Sequence, residues 1–129
     1  MDSNSTISCF IDYTKEDAIN NGDITPTNIT ATQRSKINKF MENVKQKKPD
    51  FIRFVQFSSN NEAIITEFQF NGELIYYLYD SSRNKRGEHN TILEDGSRKV
   101  IMEDYCRELV PDSYMPYITD CYRYEAHEF

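Results

Sequence analysis

Three apolar runs rich in aromatic and β-branched residues follow one another almost without pause: FIRFVQF (51–57), AIITEFQF (63–70) and ELIYYLYD (73–80). Between the last two stand only Asn71 and Gly72, a pair that tolerates positive φ and signals a tight type I′ hairpin. The three runs therefore read as an antiparallel meander, and this constrains the fold more than any other feature of the chain. Within 63–70, alternation puts Ile64, Thr66, Phe68 and Phe70 on one face. RKVIMEDYCREL (98–109) reads as a fourth strand and SYMPYITDCYRY (113–124) as a fifth, around a turn at Pro111-Asp112. Pro116 favours an edge position for the fifth strand. The polar segment 81–97, with Gly87 and Gly96, is expected to be an extended loop.

Helical signals precede the strands. Thr14 with Asp17 three residues later opens a short helix that Gly22 can close. Thr30 with Gln33 repeats the capping-box pattern, and Ile37, Phe40, Met41 and Val44 then form one apolar stripe at helical spacing. Lys45, Lys47 and Lys48 suit the negative end of that helix dipole, and Pro49 stops it. The fold class is thus α+β: one main amphipathic helix, plus a short N-terminal helix, packed on a four- or five-stranded antiparallel sheet. Residues 1–12 read as a disordered tail and 13–129 as a single domain, as a chain of 129 residues suggests. Nine Tyr and eight Phe compensate for a hydrophobic content of 38%, because each aromatic ring buries a large area.

The formal net charge is −6, which disfavours nucleic acid and anionic lipid as partners. Charge is unevenly spread: residues 32–48 sum to +5 and residues 88–129 to −6. No apolar run approaches the roughly 20 residues that span a bilayer, so no transmembrane segment is expected, and MDSNSTIS lacks the apolar core of a signal peptide.

Nothing in the sequence spells out catalysis. Phosphate-binding glycine loops, zincin and nucleophile-elbow motifs are absent. His89 and His127 have no partner at ligand spacing, so no metal or other cofactor is expected. Glu103-Asp104 is an acid pair, but neighbours on a strand point to opposite faces. The expectation is a protein that is not an enzyme. Cys106 and Cys121 sit on the two arms of a hairpin whose midpoint falls at 113–114, where facing residues approach disulfide geometry. Spacing alone leaves open whether they are joined or reduced.

The segment YDSSRNKRG (79–87), at the end of the third run, has two readings. Asp80 and Ser82 can bond nearby backbone N–H groups, and Arg83 can then either pair with Asp80 in a plain strand-end turn or reach a ligand carboxylate or phosphate.

DAINNGDI (17–24), NKFMENVKQKKPDFIRFV (38–55) and NGELIYYLYDSSRNKRG (71–87), in that order, resemble domain of unknown function 4362, a family of small bacterial proteins of Bacillus-like Firmicutes. The likeness runs over residues 13–121 and includes the cysteine-containing segments YCREL and YITDC. It implies a lipid-anchored or secreted setting, and with that a Cys106–Cys121 disulfide, since oxidised pairs persist outside the cytosol. It also marks Tyr79, Asp80, Ser82 and Arg83, which match a recurrent motif, as binding candidates; it implies no catalytic role. Asn84 and Arg86 depart from the pattern, standing where the family tends to have an acid and an aromatic residue. The reading that follows is an extracytoplasmic binding or accessory domain with a protein or small-ligand partner. The alternative is an intracellular acidic inhibitor or immunity-type protein that docks a basic partner and keeps its cysteines reduced.

Overall fold

The computed structural model describes residues 12–85, 87–112 and 115–129. The tail expected at 1–12 therefore lies outside the described residues except for Asp12, as does Cys9. Two helices, α1 (Lys15–Asn21) and α2 (Ala31–Lys45), precede strands β1 (Asp50–Phe57), β2 (Ala63–Phe70), β3 (Ile75–Asp80), β4 (Thr91–Ile92), β5 (Arg98–Lys99), β6 (Ile101–Val110), β7 (Tyr117–Cys121) and β8 (Ala126–Glu128). The main sheet has six strands in the order β1-β2-β3-β6-β7-β8, and β4-β5 form a separate two-stranded ribbon. The pairings between these named strands are antiparallel.

Local signals place the helices where the sequence suggests. Thr14 and Thr30 cap α1 and α2, each in a complete capping box, and Gly22 ends α1 with φ 70°. After Gly22, Ile24 forms a parallel bridge with Phe54, its N–H donating to the Arg53 carbonyl at 2.8 Å and its carbonyl accepting from Val55 N–H at 2.8 Å. The NGDI segment thereby covers part of the open edge of β1, which would otherwise offer unpaired backbone groups.

Four expectations need correction. The sheet has six strands rather than four or five, because β8 adds to β7 through the pairs Tyr117–Glu128, Ile118–His127 and Thr119–Ala126. This also makes β7 an inner strand, so Pro116 precedes an interior strand and not an edge. The 81–97 loop contains half of the β4-β5 ribbon, and Arg98–Lys99 belong to that ribbon rather than to β6. Finally, β2 and β3 are joined by four residues, 71–74, not two: Phe70 pairs with Ile75. The Asn71 side-chain oxygen accepts from the backbone N–H of Glu73 (2.9 Å) and Leu74 (2.8 Å), so the loop is built on an Asx turn, and Gly72, at φ 104°, takes the left-handed position.

The main core lies between α2 and one sheet face. Ile37 and Phe40 from α2 meet Ile52, Phe54, Phe68, Phe70, Ile75, Cys106 and Ile118, with Met41 and Val44 packed at the margin. The sheet curls strongly around this core. Phe129, just beyond β8, stacks on Phe68 of β2 at 4.1 Å between ring centroids and meets Phe54 of β1 edge-on at 5.5 Å, although β8 and β1 are opposite edges. Right-handed strand twist accumulated over six strands produces such closure. On the other face, Val55, Ala63 and Ile65 make a smaller cluster with Ala18 of α1.

Candidate functional site

The YDSSRNKRG segment is held from within. Tyr79, near the end of β3, donates its hydroxyl to the His89 carbonyl at 2.6 Å, and burial raises its pKa. Asp80 accepts from the Ser82 N–H at 2.9 Å and pairs with Arg83 at 3.3 Å, both side chains largely covered. Ser82 itself is exposed. The residues between complete the knot: Ser81 Oγ lies 2.8 Å from Asn90 Oδ1, while buried Asn84 donates to Glu62 at 3.1 Å and accepts from His89 N–H at 3.0 Å. Glu62 belongs to the β1–β2 loop, so the segment pins that loop to the β4-β5 ribbon. Arg83 is thus paired with Asp80, the contact that one of the two readings left open by the sequence requires.

A second polar cluster surrounds the NGDI segment. Buried Asp23 accepts from the Tyr13 hydroxyl and lies 3.4 Å from Arg53, which also bonds Glu67 at 2.9 Å. The arrangement ties the α1–α2 connection to the outer side of β1 and β2.

The densest constellation lies on β6, β7 and β8. Alternation along β6 turns Met102, Asp104 and Cys106 inward and Ile101, Glu103 and Tyr105 outward, so the acid pair does split between faces. Outside, Glu103 accepts from the Tyr76 hydroxyl at 2.6 Å; burial first, then that carboxylate, raises the Tyr76 pKa. Inside, the Asp104 side chain has no exposure and lies 2.8 Å from His127 Nε2. Its Oδ1 accepts from the backbone N–H of Tyr105 (2.9 Å) and Arg123 (2.8 Å), its Oδ2 from that of Tyr124 (3.1 Å). Burial alone would raise the Asp104 pKa; the imidazole and the three N–H groups outweigh it and hold the carboxyl below its ordinary value. His127 stacks flat on Tyr77 at 3.9 Å and meets Tyr124 edge-on at 5.5 Å.

Cys106 lies directly opposite Cys121, and the two form a disulfide with an S–S distance of 2.02 Å. Cys106 is fully buried, whereas Cys121 borders an open groove lined also by Leu74, Tyr105, Tyr122 and Arg123. Asp120 beside it has φ 57°, and past this point the inward positions change parity, from Cys106 to Leu109 on β6 and from Cys121 to Ile118 on β7. Sequence spacing gives His127 no partner, because Asp104 is 23 residues away. An acid at an inward position of β6 was the one available signal.

Fold and site together define a small α+β domain: a helix seated in a curled six-stranded antiparallel sheet, with one disulfide and one buried Asp–His pair at the same strand junction. The chain belongs to the family described as domain of unknown function (DUF4362), whose model matches residues 15–109. That match takes in Asp104 and Cys106 but stops before Cys121 and His127. No curated protein and no solved structure matches the chain.

Proposed function

We propose that this protein is a non-enzymatic binding or accessory domain that works outside the reducing cytosol and engages a protein partner. The observation that carries the reading is the Cys106–Cys121 disulfide, built into the core and aligned in register; such bonds persist in oxidising compartments. Binding rather than catalysis is favoured by where the reactive groups point. The Asp104–His127 pair is committed to backbone donors and flanking rings. By contrast, Tyr105 and Tyr122 are exposed at 50% and 84%, and rigid exposed aromatics are what protein interfaces enrich. Tyr76 and Tyr105 pair at 5.2 Å between centroids beside Glu103, a surface suited to Arg or Lys side chains of a partner.

The test places a photo-crosslinking residue at position 105 of the full chain, expressed in its native cells. The expected result is a discrete protein adduct recovered from material that a membrane-impermeant reagent labels in intact cells. No adduct at 105, or an adduct shielded from that reagent, overturns the reading. A shielded adduct carrying reduced cysteines would favour the intracellular inhibitor that docks a basic partner through the acidic 88–129 region.

A further inference from the structure

Asp104 and Cys106 face inward from β6, Cys121 stands opposite on β7, and His127 reaches the same point from β8. One donor atom from each lies within 4.8 Å of all the others. We propose that in the reduced protein these four side chains bind a thiophilic divalent cation of the zinc type, so that the β6-β7-β8 junction is held by a covalent link in one redox state and by a metal in the other.

Two thiolates, an imidazole and a carboxylate form a donor set that suits Zn²⁺. With zinc–sulfur bonds of about 2.3 Å and zinc–nitrogen or –oxygen bonds of about 2.0 Å, tetrahedral ligand atoms stand roughly 3.3–3.8 Å apart. That fits inside the observed envelope. The 2.8 Å gap between His127 Nε2 and Asp104 Oδ2 needs to open by about half an ångström for a cation to sit between them. Asp104 is already fixed by three backbone N–H groups, so one ligand is oriented in advance. Cys121 opens onto the groove beside Tyr105 and Tyr122, which gives the cation a way in.

The two states exclude each other. An added phosphine supplies the two electrons that cleave the sulfur–sulfur bond; water provides two protons for the thiols and the oxygen of the phosphine oxide. The cation then displaces both thiol protons. The proposal concerns what the reduced chain binds, and it stands whichever compartment the protein occupies.

Co²⁺ serves as the probe, in full-length protein carrying Cys9→Ser so that only this cysteine pair remains. The reduced protein is expected to take up one Co²⁺ with the intense visible bands and sulfur-to-cobalt charge-transfer absorption of a tetrahedral thiolate site, both abolished by Zn²⁺. The disulfide form is expected to show neither. His127→Gln and Asp104→Asn should each weaken binding roughly tenfold or more, and Zn²⁺ should raise the melting temperature of the reduced protein because it binds only the folded state. Cys121→Ser keeps the size of the reduced side chain and should at least halve the charge-transfer band, since one of the two thiolates is gone, even if the other variants fold poorly. Absent bands in the reduced protein overturn the proposal. So does Co²⁺ affinity unchanged by His127→Gln and Asp104→Asn, or by Cys121→Ser.

Discussion

The Asp104 carboxylate ties three parts of the chain together. Four donors converge on it, one from β6, two from the 122–124 turn and one from β8. Replacement by Ala leaves those partly buried donors without their acceptor, and the expected cost is about 3–5 kcal/mol in urea unfolding. Asp104→Asn keeps one acceptor oxygen but puts an amide NH2 in place of the other and loses the charge, and a cost of about 1–3 kcal/mol is expected. The pH dependence has a definite sign. The folded-state pKa lies below the unfolded one, so the folded protein binds fewer protons. The contribution is complete above the unfolded carboxylate value of about 3.9 and is lost as pH falls through the lower folded value. The stability gap between wild type and Asp104→Asn, measured in urea, should therefore be widest near neutrality and narrow only below about pH 4. A gap that narrows between pH 7 and 5 would point to a different group.

Among the elements, the helices were legible and the last strand was not. Capping boxes at Thr14 and Thr30 are local, settled within one turn, and the stripe Ile37, Phe40, Met41, Val44 needs only a partner surface to pack on. The meander of β1 to β3 was equally plain, except that Asn71 uses its side chain to build a four-residue loop where the Asn-Gly pair suggested a two-residue one. EAHEF carries no apolar alternation. Its strand character comes from pairing with β7, from His127 on Asp104 and from Phe129 in the aromatic core. Phe129→Ala removes contacts with Phe40, Phe54 and Phe68 together. A loss of about 2–3 kcal/mol is expected, less than for a fully buried Phe because the residue is only partly covered. Hydrogen exchange of the β7-β8 amides should speed up while β1-β2 stays protected. Uniform acceleration throughout the sheet would show that β7-β8 does not open independently of β1-β2.

At the scale of the whole molecule, the curl of the sheet makes the site. It brings together residues as far apart in sequence as Phe54 and Phe129, and Asp104 and His127, which no spacing rule could have joined. The YDSSRNKRG turn, by contrast, was readable as a turn because Asp80, Ser82 and Arg83 are near neighbours. The cysteine pair fell between these cases: a hairpin midpoint suggested it, and register placed Cys106 opposite Cys121. The two cysteines are 15 residues apart in sequence, and closing a loop of that length contributes roughly 3 kcal/mol in the chain-entropy treatment, a large share of the stability of a domain this size. The most direct measurement is mass-spectrometric peptide mapping of the protein taken from its native cells after irreversible trapping of free thiols. The account predicts a linked peptide joining Cys106 to Cys121, with neither residue carrying the trap. Both residues recovered as trapped free thiols would contradict it.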